Sequence, residues 1–157
     1  MQESKSTTDE VVGLLLESSL FRDFRTVDLR STARYFRCVT VDKGEIIFQE
    51  GDLGTFMCVV NAGNISVTKS DSDGHLVEIT ILRRGRVFGE MAVLDGEFRS
   101  ATCVAAEDCV LLILSRDSLD KMELDVPKTA ARVIRTIAVS LSRRLRLADG
   151  KLVDQQI

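Results

Sequence analysis

The sequence predicts an α+β fold: an antiparallel β-roll, or jelly-roll barrel, of about eight strands, with N-terminal helices, a short inserted helix and a long C-terminal helix. Two observations carry this. Between residues 36 and 115, apolar segments of strand length alternate with turn residues, and glycines fall between them at near-regular intervals. On either side, residues 1–35 and 116–149 switch to the three-and-four spacing of amphipathic helices. A chain of 157 residues is one domain's worth and can bury about two-thirds of its unfolded surface without a disulfide or metal. The expected organisation is therefore one domain over 1–157, ending in a tail at 150–157.

In chain order, the lead-in from Met1 to Glu10 is polar and partly acidic, unlike a signal peptide. With no apolar run near membrane-span length, a cytoplasmic protein without a membrane span is expected. Met1 ahead of this lead-in reads as a natural start. Asp9 to Glu17 follows as a short helix capped by Asp9, with Val12, Leu15 and Leu16 as its apolar face. Leu20–Phe24 leads to a second helix from about Val27 to Tyr35. Strands are expected at Phe36–Val41, Glu45–Gln49, Phe56–Asn61, Ile65–Ser70, Leu76–Leu82, Ser100–Ala105 and Cys109–Ser115. Gly44, Gly51, Gly63, Gly74, Gly85 and Gly96 mark the turns. Arg116–Glu123 reads as a helix, and Pro127 is placed to open another, running to about Ala148.

Cys38, Cys58, Cys103 and Cys109 lie in apolar, strand-like surroundings without metal-type spacing, so buried free thiols are expected. A single histidine, His75, sits in a hairpin-turn composition and argues against a metal centre or a cupin-type metalloenzyme. The net charge of −3 conceals an asymmetry. Residues 1–127 hold 14 Lys+Arg against 22 Asp+Glu, a balance of −8, and residues 128–157 hold 7 against 2, a balance of +5. A basic end of this kind suits nucleic acid or a membrane surface. It equally suits a solvated helix face whose positive end complements its own dipole. Without interleaved aromatics or a recognition motif, the solvated face is the better reading.

The chemistry concentrates in Phe88-Gly89-Glu90-Met91-Ala92-Val93-Leu94, a spacer, and Arg99-Ser100-Ala101-Thr102. Glycine lets backbone approach a ligand closely. A helical turn at Glu90–Leu94 would aim free amides outward at an anion. Arg99, placed on the next strand, supplies a forked cation for phosphate oxygens. Glu90 would repel a phosphate but can accept from sugar hydroxyls, so the pair together points to a nucleotide. The alternative is a glycine-bounded helical turn with a surface Glu–Arg pair.

These residues resemble the phosphate-binding cassette of cyclic-nucleotide-binding domains, the family of bacterial catabolite activators, cyclic-AMP-dependent kinase regulatory subunits and cyclic-nucleotide-gated channels. Lys43–Asp52 and Asn61-Ala62-Gly63 also resemble its barrel signatures, and the likeness covers roughly residues 12–148. It departs at Thr55 and Cys58, where other members often carry Asp and Tyr. The resemblance implies a regulatory sensor rather than an enzyme, with no catalytic residues, no metal and no cofactor, and with cyclic AMP favoured over cyclic GMP as ligand. It implies ligand contacts from Phe88, Gly89, Glu90, Met91, Ala92, Arg99, Ser100, Ala101 and Thr102. It further implies that the final helix closes as a lid, with Ser140, Ser142, Arg143, Arg144 and Arg146 within reach of the base. Serine at position 100 carries a hydroxyl compatible with either nucleotide. A nucleotide-free interaction module of the same fold is the rival reading, as is the sensor half of a larger transcription regulator or channel.

Along that helix Ala131, Ile134, Ala138, Leu141, Leu145, Ala148 and Leu152 recur at heptad spacing, while Ala130, Val133 and Ile137 form a second stripe. Two stripes suggest one face on the barrel and one on a partner, giving a homodimer through residues 131–148. The alternative is one wide stripe on one core. Only nine residues follow Ala148, too few for a helix-turn-helix, so direct DNA binding is not expected.

Overall fold

The computed structural model describes residues 1–156, with side chains for residues 1–151. In chain order the elements are β1 (Gln2–Ser4), α1 (Thr8–Leu16), α2 (Thr26–Ala33), β2 (Arg37–Val41), β3 (Ile46–Phe48), β4 (Phe56–Ala62), β5 (Ile65–Ser70), β6 (Leu76–Leu82), β7 (Val87–Phe88), α3 (Glu90–Asp95), β8 (Thr102–Ala105), β9 (Cys109–Ser115), α4 (Arg116–Asp125) and α5 (Pro127–Gln156). The strands form two antiparallel sheets, ordered β1-β2-β9-β4-β7 and β3-β8-β5-β6.

The five-stranded sheet is the middle layer, which explains why β9 reads as an unbroken apolar run. Leu111 and Ile113 face the four-stranded sheet across a core that includes Val39, Val60, Ile65 and Phe88. Leu112 and Leu114 face the other way, onto Leu15, Phe21, Leu29, Met122 and Ile137 of the helical layer. A strand buried on both faces has no solvent side on which to alternate. The four-stranded sheet is thinner cover: Leu76, Val77, Ile79 and Ile81 on its edge strand β6 are exposed.

Each turn glycine named from the sequence adopts the left-handed backbone that L-residues avoid, from φ 68° at Gly96 to 88° at Gly51. Gly54 is required for a different reason. A Cβ there would lie 2.0 Å from the Cβ of Ala92, so its missing side chain is what lets α3 settle against the β3–β4 connection.

Several boundaries differ from expectation. Thr7, not Asp9, caps α1; its side chain accepts from the Glu10 amide while Glu10 returns the bond to the Thr7 amide. Val11 rather than Leu16 completes the buried face of α1, Leu16 being exposed. The polar lead-in contains β1, which gains strand character by pairing Gln2–Ser4 with Cys38–Thr40. β7 is a further strand beyond the expected segments, so the described residues form nine strands against about eight expected. α5 runs through Gly150 to Gln156, so residues 150–156 continue the helix instead of forming a tail.

Of the two stripes on α5, Ala130, Val133 and Ile137 are fully buried against the helical core. Ile134 and Leu141 are partly covered by it. Ala131, Ala138, Leu145 and Ala148 are exposed; the side chain of Leu152 lies outside the described residues.

Candidate functional site

The cassette is assembled by backbone before any side chain acts. The Arg99 amide donates to the Asp52 carbonyl (2.7 Å), Gly51 to Arg99 (2.9 Å) and Gly54 to Glu97 (3.0 Å), clamping residues 97–99 against the turn at 51–54. On the other flank Gly89, at φ 74°, caps α3 and Gly96 closes it at φ 68°. α3 buries Ala92 and Val93 and leaves Met91 exposed.

Arg99 precedes β8 rather than lying on it, since the strand begins at Thr102. Its side chain is buried. The guanidinium carbon sits 3.8 Å from the centroid of Phe48 and 4.8 Å from that of Phe56, an attractive cation–π arrangement. Nη1 donates to the Gly89 carbonyl at 3.0 Å and Nη2 to the Phe56 carbonyl at 2.6 Å. Nε is buried without a partner among the described residues. Burial presses the guanidinium's pKa down, opposed by Cys58, Cys103 and Asp52. Gly89 must be glycine on two counts, its positive φ and the 2.7 Å that would separate a Cβ from Arg99 Nη1.

Glu90 is likewise buried, at 4% exposure, but does not pair with Arg99. Its Oε1 bonds Arg144 of α5, a contact across the chain that joins the cassette to the final helix. Both charged residues are therefore interior groups with separate partners, unlike a surface Glu–Arg pair. Arg144 is pressed below its ordinary pKa by burial and by the neighbouring Arg86. Among the other expected contacts, Phe88 is turned into the barrel core beside Phe48, with centroids 5.9 Å apart. Ser100 is exposed, Ala101 is half-buried, and Thr102 accepts from the Glu50 amide at 2.9 Å. Of the lid candidates, Ser140 is half-buried and Arg143 exposed, and both line a cavity with Arg144 and Glu90. Ser142 and Arg146 are exposed and are not part of that cavity's wall.

All four cysteines are free and buried. Desolvation raises the thiols of Cys58 and Cys103, the latter to about 12, and such thiols are poor nucleophiles. His75 is exposed beside Asp71 and Asp73.

Residues 38–123 match the Cyclic nucleotide-binding domain family. The chain belongs to that family. It is 33% identical over 135 residues to a cyclic AMP receptor protein of Thermus thermophilus, covering 86% of this chain and 61% of the relative. A cyclic nucleotide-binding domain from Methylobacillus flagellatus superposes with a TM-score of 0.80 at 26% identity, over 96% of this chain and 84% of that one. The catabolite activator protein of T. thermophilus gives 0.78 at 32% identity, over 88% and 63%. The chain thus spans about three-fifths of its first curated relatives. In this cyclic-nucleotide-binding domain Glu90 meets Arg144 of α5, while Arg99 is held by the Gly89 and Phe56 carbonyls. No described helix is long and apolar enough to cross a membrane.

Proposed function

We propose that the chain is a regulatory module that binds a cyclic nucleotide, with cyclic AMP preferred, and passes the event on through α5 without turnover. The observation that carries this is the Glu90–Arg144 bond. The cassette carboxylate suited to a ribose hydroxyl is the same one that holds the final helix, so a ligand arriving at Glu90 alters the footing of α5. A ligand shifts a conformational equilibrium only through unequal contacts with the two states, and this shared carboxylate provides the inequality. Arg99 takes the cyclic phosphate. Its unpartnered Nε, and donors now spent on two carbonyls, can be redirected to phosphate oxygens with the amides near Ala92. Ser100, already exposed, is placed to add a hydroxyl. The exposed seam of α5 supports a homodimer.

Titration calorimetry with cyclic AMP, cyclic GMP and 2′-deoxy cyclic AMP tests the reading. Saturable one-to-one binding is expected, weakened by Arg99→Leu and by removal of the 2′-hydroxyl. Losing one charged partner in such a pocket costs about 2–5 kcal/mol, thirtyfold or more in affinity. Equal affinity of Arg99→Leu and the parent would reject the assignment. A second reading has its own support. Two Arg99 donors are already satisfied by Gly89 and Phe56, as they would be in an interaction module that holds no nucleotide. The absence of any heat with either cyclic nucleotide would favour it. The chain's share of its relatives also admits the sensor part of a longer regulator.

A further inference from the structure

α5 carries a third face that neither the core nor the heptad seam uses. At 100° per residue, the seam centred on Ile134–Leu145 lies roughly 75° to one side of the buried Ala130–Val133–Ile137 stripe. Arg132, Arg135, Val139 and Arg143 lie roughly 150° to the other side, well away from both the buried stripe and the seam. That face borders a cavity of about 880 Å³ also lined by Arg86, Val87 and Glu90 and by residues between Ser19 and Asp28. The volume falls within the range of small-molecule sites.

Its charge is one-sided. Six arginines (25, 86, 132, 135, 143 and 144) converge there, against Asp23, Asp28 and Glu90. Two of the three carboxylates are engaged. Asp28 bonds both Arg25 and Arg132, and Glu90 bonds Arg144. Arg86, Arg135 and Arg143 have no ion-pair partner among the described residues. Arg86 lies close enough to Arg144 to add to the effect of burial in disfavouring its charge. Ser19, Thr136 and Ser140 add hydroxyls, and Leu20, Phe24 and Leu147 add apolar wall. Arg99 and Ser100 take no part in lining it.

We propose that this cavity is a second ligand site, adjoining the cyclic-nucleotide cassette and offset from Arg99, for a small anion carrying two or more phosphate groups. Guanidiniums bind phosphates through paired, forked hydrogen bonds, and three uncommitted ones around one volume suit more charge than a single phosphodiester carries. Enclosure by three elements favours a compact ligand over a flat protein surface. Because Glu90, Ser140, Arg143 and Arg144 belong to both sites, occupancy here bears on the hold that Glu90 has on α5.

The probe is sodium pyrophosphate, titrated by calorimetry in the absence of any cyclic nucleotide, with sodium sulfate at matched ionic strength as the comparison. One saturable site per chain is expected, with affinity at least tenfold lower in Arg86→Ala/Arg135→Ala. Both side chains are free of ion pairs, so this variant should fold, and a melting curve verifies it. Failure of cyclic AMP to bind would leave this measurement unaffected, so the two ideas fail separately. Absence of saturable heat, affinity matched by sulfate, or undiminished affinity in the double variant would each overturn the second site.

Discussion

Replacing Arg144 by alanine asks how the outer half of α5 is held. The three fully buried residues of this helix, Ala130, Val133 and Ile137, all lie in its first three turns. Beyond Ile137, the ties to the domain found among the described residues are the partial packing of Leu141 and the bond to Glu90. The Glu90 side chain is 5% exposed and that of Arg144 52%. Breaking a fully buried pair costs about 3–5 kcal/mol, because one charge is left unmatched in the interior. Solvent screening of the half-exposed guanidinium roughly halves this, leaving about 2 kcal/mol. In a protein of this size that corresponds to a fall of about 4–8 °C in melting temperature. Calorimetric melting supplies the global number, and hydrogen exchange over residues 138–147 the local one, both without nucleotide. Exchange there should accelerate in Arg144→Ala and be largely restored in Arg144→Lys. Arg146→Ala, removing an exposed neighbour, should shift melting by less than about 2 °C. If Arg144→Ala melts with the parent and its exchange is unchanged, the bond does not anchor the helix and the proposed signal route fails.

The remaining expectations concern other parts of the molecule. Gly54→Ala forces a Cβ into Ala92; it should cost about 1–3 kcal/mol and weaken cyclic-nucleotide binding, and a variant with parental melting and affinity would contradict the packing described. Arg99→Leu should also destabilise by about 1–3 kcal/mol, since the Gly89 and Phe56 carbonyls lose their donors; unchanged denaturant midpoints would show those bonds to be idle. Burial holds the Cys103 thiol at about 12, above its ordinary 9.0. The stability from keeping it neutral is thus complete below pH 9 and lost as pH climbs from 9 toward 12, so melting should decline over that interval. A thiol-specific disulfide reagent at pH 8 should leave native protein unmodified, and rapid stoichiometric labelling would contradict the burial. Leu145→Asp should convert a dimer to a monomer in light scattering without lowering monomer stability, whereas a parent that is already monomeric at high concentration would dismiss the seam as an interface.

How much of this was legible depends on whether local chemistry or distant contact decides each feature. β5, β6 and β9 were readable at their observed bounds because glycine or turn residues bracket them at 63, 74 and 106–108. β1 was not, since Gln-Glu-Ser has no strand pattern of its own and is made a strand by β2. The α1 cap was readable and missed: Thr7 and Glu10 stand at capping-box spacing. The helix was expected to end near Ala148, just ahead of Gly150, but a glycine costs a helix only about 1 kcal/mol, and thirty residues absorb it. Glu90 and Arg99 stood out by residue type and spacing. Their partners did not, because Arg144 is reached only once the rotational phase of α5 is set by its buried stripe. Likewise, the aromatic bed under Arg99 joins Phe48 and Phe56 from separate strands. The arginine-lined cavity was least visible, its walls being more than a hundred residues apart in the chain.

β1 shields the outer margin of β2. With residues 1–6 trimmed away, Arg37–Val41 would present a bare row of amides and carbonyls, ready to accept another chain. A shortened version would then self-associate through this side of the molecule, away from the heptad seam. Any oligomer it formed would be misread as evidence about the helix.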